Sequence, residues 1–166
     1  MKYLEREILS VDDTKHSIIE GIIKSADVVA STLGAKGKTV LIEAPNQYYP
    51  KITKDGATVA KNIILSDRKL NMGAALLKQA SLTSNEKAGD GTTTTCVLLR
   101  EFVREANKAL VSGYSFAALR KNINLIMPRV IEKLNASSMS ITDNINIARQ
   151  VALVSSNWDV EIADII

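Results

Sequence analysis

The residues best suited to chemistry lie in one run, Ala88-Gly89-Asp90-Gly91-Thr92-Thr93-Thr94-Thr95. It breaks two stretches of helical apolar spacing. Its glycines permit positive φ and close approach of a ligand to the backbone. A helix that starts at the threonines presents free N–H groups and the positive end of its dipole, which suits phosphate. The hydroxyls add donors. Asp90 repels phosphate unless a cation stands between them, so this pattern points to Mg²⁺ bridging carboxylate and phosphate oxygens. The same run also reads as a plain helix break in which Asp and Thr act as caps. It is not a P-loop, because no Gly-Lys-[Ser/Thr] follows.

Two other strings share this double character. Thr32-Leu33-Gly34-Ala35-Lys36-Gly37 reads as a helix C-cap and turn, or as a second glycine-rich anion loop with a lysine. Thr53-Lys54-Asp55-Gly56-Ala57-Thr58 reads as an ordinary Asp-Gly turn, or as an acid at a helix start that holds a metal or orients a water. If the three converge, two carboxylates, several hydroxyls and many N–H groups surround one anion. That constellation belongs to phosphoryl chemistry, where positioning and charge stabilisation dominate.

The elements that must position these strings are mostly helical. Ile18, Ile19, Ile22, Ile23, Ala26, Val29 and Leu33 recur at spacings of three and four, which predicts a helix over residues 12–33, capped by Asp12 or Asp13 and stopped at Gly34. Residues 38–43 and 51–53 read as a small hairpin. Further helices are expected over 57–64, 71–87, 92–111, 115–134 and 142–154, with another after Asn157. In the 92–111 helix, Val97, Leu98, Phe102, Ala106 and Leu110 form the apolar face. Pro128 should kink or split the helix around it. The small polar stretch 136–140 is the best domain boundary. Ile165-Ile166 ends the sequence inside an amphipathic pattern, which reads as an interruption.

Composition narrows the remaining classes. Lys and Arg number 21 against 18 Asp and Glu, a net charge of +3, and no basic run is interleaved with aromatics, so no nucleic-acid footprint is expected. Cys96 is the one cysteine and reads as a small buried hydrophobe; His16, the one histidine, reads as a surface residue. Neither a zinc cluster nor a Cys-His pair is supported. No signal peptide or membrane span is evident, and a cytoplasmic location is expected.

Taken together with Asn71-Met72-Gly73-Ala74, the three strings resemble, in order and spacing, the equatorial-domain signatures of the group I chaperonins. The resemblance implies a mainly α fold, a long-helix bundle of the equatorial type with a small β-hairpin. Residues 1–136 would be the first part of that domain and 137–166 the ascending part of an intermediate domain. It implies an ATP-dependent protein-folding subunit with ATP, Mg²⁺ and K⁺ as cofactors. Thr32, Leu33, Gly34, Ala35, Lys54, Asp90, Gly91, Thr92, Thr93 and Thr94 would bind the nucleotide. Asp90 would ligate Mg²⁺, while the carbonyls of Thr32 and Lys54 and the hydroxyl of Thr93 would hold K⁺. Asp55 would assist hydrolysis. The apical domain that binds unfolded clients and the co-chaperonin has no counterpart here, nor have the adenine pocket and the aspartate that activates water. A complete subunit would join a heptameric ring; the 166 residues alone are expected to be inactive. An assembly protein without enzyme activity is the alternative. Ala35 stands where the family has proline, and Trp158, where it has a small polar residue, is expected to pack partially.

Overall fold

The computed structural model describes residues 10–34, 36–43, 48–141, 144–156 and 158–166, with the side chains of 11–13 also outside that set. The cap expected at Asp12 or Asp13 and the residue Ala35 therefore lie outside the described residues. Among those described there are seven helices and one two-stranded antiparallel sheet, so the expected mainly α architecture with a small hairpin is what forms. The chain divides into two compact units, Met1–Tyr114 and Ser115–Ile166.

In the first unit, α1 (Val11–Ala30) packs on α3 (Arg68–Ala88) and α4 (Thr92–Val111), with the short α2 (Gly56–Asn62) alongside. Two glycines determine the closest of these contacts. A Cβ on Gly21 would collide with the carbonyl of Leu70, and one on Gly73 with the carbonyl of Ile18. The two backbones therefore touch where neither has a side chain. Around this contact the core collects Ile22, Ala26, Val29, Val59, Ala60, Leu77 and Cys96. Arg100 ties α4 to α1, its Nη1 2.6 Å from Asp27 Oδ1, while its Nε reaches Glu101 Oε1 at 2.7 Å. Burial pushes the Cys96 thiol up, with the Ser81 hydroxyl as the smaller opposing influence, so this cysteine is an unreactive core residue as expected.

Several boundaries differ from the sequence reading, each for a local reason. Helix α1 stops at Ala30 rather than at 33, because the Ser31 and Thr32 hydroxyls bond back to the Val28 and Val29 carbonyls, both at 2.7 Å, and Gly34 turns the chain at φ 76°. Helix α3 begins at Arg68, three residues early, because Asp67 Oδ1 accepts the Leu70 N–H at 2.9 Å. The strands β1 (Val40–Ile42) and β2 (Lys51–Thr53) are short, with Leu41 opposite Ile52. The apolar face assigned to α4 was offset. Cys96, Leu99 and Val103 meet the core, whereas Leu98 and Phe102 are 52% and 59% exposed.

The second unit holds α5 (Phe116–Ser137), α6 (Ile145–Ser155) and α7 (Val160–Ile165). Helix α5 runs unbroken past Pro128, so the helix is not split there, and none of its residues is buried. Helices α6 and α7 pack through Ala152 and Ala163, and Arg149 grips Asp164 with Nε at 2.7 Å and Nη2 at 3.3 Å. Between them Trp158 takes φ 69° while its N–H closes α6 on the Leu153 carbonyl at 2.7 Å. Its side chain is 72% exposed, which corrects the expectation of partial packing.

Two outcomes follow. Gly21→Ala should cost about 3 kcal/mol, because a methyl against a backbone carbonyl pushes two helices apart; a urea midpoint equal to the parent's would contradict this contact. Trp158→Gly should stabilise α6 and α7 by about 1 kcal/mol through relief of the left-handed backbone. Slower amide exchange in α6 would show it, and faster exchange would mean that the indole contributes more than the strain costs.

Candidate functional site

The three strings meet at Gly56. A Cβ there would collide with Thr93 Oγ1 and stand 3.1 Å from Thr32 Oγ1. The start of α2, the first turn of α4 and the loop after α1 thus touch at one glycine. Thr32 is buried, its hydroxyl held by the Val29 carbonyl at 2.7 Å. The loop then folds on itself. Gly37 N–H donates to the Gly34 carbonyl at 2.9 Å, Lys38 N–H donates to the Ser31 carbonyl at 2.7 Å, and Gly37 packs against the Thr32 carbonyl.

Asp55 caps α2. Its Oδ1 accepts the Ala57 N–H at 3.2 Å, and its Oδ2 accepts the Thr58 N–H at 2.9 Å and the Thr58 hydroxyl at 2.6 Å. Partial burial pushes its pKa up, but those hydrogen bonds, with Lys61 nearby, outweigh that and hold it below its ordinary value. Asp55 is therefore an ionised acceptor at neutral pH.

Helix α4 is built differently. Helices α2, α3, α5, α6 and α7 each start at an Asp, Asn or Ser whose side chain accepts an N–H of the first turn. The N-cap of α4 is Gly91, with φ 77° and no side-chain cap. The N–H groups of Thr92, Thr93 and Thr94 are left without an intrahelical partner. Thr92 is buried, Thr93 half-buried and Thr94 exposed. Asp90, between two left-handed glycines, is exposed, and its Oδ1 accepts the Gly91 N–H at 2.6 Å. Asp90 therefore does not cap α4, and the first-turn threonine N–H groups have no side-chain cap.

Thr32, Asp55, Gly91, Thr92 and Thr93 are brought to one region by these contacts. Leu33, Gly34 and Lys54 are exposed on the flanking loops, with no side-chain bond to that region among the described residues. Two partners went unnoticed in the sequence. The Ser84 hydroxyl donates to the Asp90 carbonyl at 3.3 Å, and the Thr95 hydroxyl donates to Ser84 Oγ at 3.0 Å. A serine inside a helical pattern carries no signal for such a role.

A metal fits this donor set in one way only. Among the described residues no group of three Asp, Glu, His or Cys side chains could hold an ion. Mg²⁺, however, needs only one or two carboxylates when phosphate and water supply the rest. Asp90 meets that requirement. No helix of the described residues is long and apolar enough to cross a membrane.

Known proteins match this chain in sequence and in fold. The chaperonin gp146 of the Pseudomonas aeruginosa bacteriophage EL, crystallised in the presence of ATP-BeFx, is 31% identical in two crystal forms. The matches have TM-scores of 0.74 and 0.73 and each covers 92% of this chain. This chain spans only 26% and 27% of the phage protein, about a quarter of its length. The family model for TCP-1/cpn60 chaperonins matches residues 26–164, a span that contains all three site strings. The chain belongs to the TCP-1/cpn60 chaperonin family.

Proposed function

We propose that this chain is the phosphate- and metal-binding part of an ATP-dependent, protein-folding chaperonin subunit. The observation that carries the reading is the meeting of Thr32, Thr93 and the Asp55-Gly56 turn beside an uncapped helix start. The open N–H groups of Thr92, Thr93 and Thr94, with their hydroxyls, bind phosphate oxygens. Asp90 Oδ2, which accepts no hydrogen bond among the described residues, is the ligand for Mg²⁺. When bound, Mg²⁺ supplies the charge that lets a carboxylate and a phosphate share this space. The carbonyls of Thr32 and Lys54 and the Thr93 hydroxyl are all-oxygen donors of the kind K⁺ takes.

Asp55 has a narrower task. Three of its roughly four acceptor sites are used by the cap. The remaining acceptor site is free to orient a water beside the phosphate. The proposed domain assignment follows the family: residues 1–136 equatorial, 137–166 intermediate. Assembly into a ring, binding of clients and co-chaperonin through an apical domain, and sustained ATP hydrolysis belong to the complete subunit. An assembly role without catalysis is the second reading, favoured by α5, none of whose residues is buried. Capture of this chain by a complete chaperonin ring, without nucleotide binding, would select it.

Titration of the 166-residue protein with ADP tests the first reading. Mg²⁺ should tighten binding, and Asp90→Ala should remove at least about tenfold of that gain, the worth of one charge-assisted contact. Equal binding by parent and variant would overturn the assignment. A second experiment concerns pH. Because the folded pKa of Asp55 is depressed, its contribution to stability is present above its ordinary value of 3.8 and is lost as pH falls through the folded value. Asp55→Asn keeps a capping side chain but cannot titrate. Its melting temperature should fall less than the parent's between neutral pH and pH ~3. Parallel acid profiles would exclude Asp55 as the titrating cap.

A further inference from the structure

Asp90 is held by very little. It sits between Gly89 at φ 71° and Gly91 at φ 77°, two residues with wide conformational freedom. The Gly89 N–H closes α3 on the Asn85 carbonyl at 2.9 Å, and the Gly91 N–H is taken by Asp90's own carboxylate. Beyond the turn itself, the one group among the described residues that grips Asp90 is Ser84, through the 3.3 Å hydrogen bond to its carbonyl.

Ser84 is placed for this in an unusual way. A serine or threonine inside a helix commonly faces solvent or bonds back to the carbonyl four residues earlier. Its neighbour Thr83 does so, donating to the Gln79 carbonyl at 2.9 Å. The Ser84 hydroxyl instead points along α3 to the turn. It uses its proton on the Asp90 carbonyl and a lone pair on the Thr95 hydroxyl, 3.0 Å away in the first turn of α4. Gly91 passes close by, since a Cβ on it would stand 3.8 Å from Ser84 Oγ. One hydroxyl therefore clasps the end of α3, the intervening turn and the start of α4.

We infer that Ser84 is a positioning residue for the metal-binding carboxylate of Asp90, an inference that rests on the nucleotide-site reading above. The clasp fixes the Asp90 backbone and thereby the root of its side chain. Mg²⁺ requires near-ideal octahedral geometry, so a loosened carboxylate weakens the metal-dependent part of binding. The threonine N–H groups that meet phosphate are held by the helical backbone of α4, which keeps its own hydrogen bonds and its packing on α1 when the Ser84–Thr95 bond is lost.

Calorimetric titration of the 166-residue protein with ADP, once with Mg²⁺ and once with EDTA, separates the two parts. Ser84→Ala should weaken Mg·ADP binding by about three- to tenfold, the worth of one or two hydrogen bonds, and leave binding in EDTA unchanged. Ser84→Thr, which keeps the hydroxyl, should restore the parent affinity. Amide exchange at Gly91 should quicken in Ser84→Ala while the core amides near Leu77 hold their protection. Parent-like Mg·ADP binding by Ser84→Ala, or equal weakening with and without Mg²⁺, overturns the inference alone. A parent protein that binds ADP no better with Mg²⁺ overturns the nucleotide-site reading first, and this inference with it.

Discussion

The backbone contact between α1 and α3 governs the rest of the first unit. At Gly21 and Gly73 no side chain separates the helices, and each glycine faces the other helix's carbonyls. The site loops are continuations of these same two rods. From Gly21 to Ala30 α1 runs roughly 14 Å, and from Gly73 to Ala88 α3 runs roughly 22 Å. Helices are stiff on that scale, so any change in spacing at the crossing is carried to the loops at 32–37 and 89–91. A close-packed interior does not absorb such a shift by small local adjustments. Placement of the threonines at the start of α4 thus depends on two glycines that lie well away from them along the helices.

The second theme is how helix starts are satisfied. Asp55, Asp67, Ser115, Asn144 and Asp159 each spend a side-chain oxygen on first-turn N–H groups. That is the economical solution for a helix with no further task. Helix α4 breaks the pattern, since Gly91 has nothing to offer and Asp90 turns its carboxylate back on the glycine N–H. The departure lies where the three site strings meet. An unsatisfied set of donors is a standing cost of folding, and a ligand that accepts them recovers it.

Much of this was legible in the sequence, and the reasons are local. The glycine-threonine run, the Asp-Gly turn and the glycine-lysine loop announce their own backbone conformations, because glycine and the short polar residues restrict the alternatives. Their convergence at Gly56 was a conditional expectation, and no single string could carry it. What escaped notice was tertiary. Gly21 reads as a weak point in a helical pattern and shows its purpose only against α3. The α4 face is offset by about one residue, since Leu98 and Leu99 are equally apolar and only the packing against α1 and α3 decides that Cys96, Leu99 and Val103 face the core. Asp67 caps α3 three residues before the start that the sequence pattern suggests, because a single Asp among polar residues does not announce which turn it caps. Ser84 was invisible, since a helical serine points equally well to its own carbonyls.

Trp158 carries an optical consequence. It is the sole tryptophan of the sequence, it is largely open to solvent, and it lies in the second unit. Tryptophan emission therefore reports on the α6–α7 corner. The four tyrosines, at 3, 48, 49 and 114, all belong to the first unit. Selective excitation of the indole thus isolates the second unit, and a red-shifted indole signal is a property of the native fold rather than a mark of its loss.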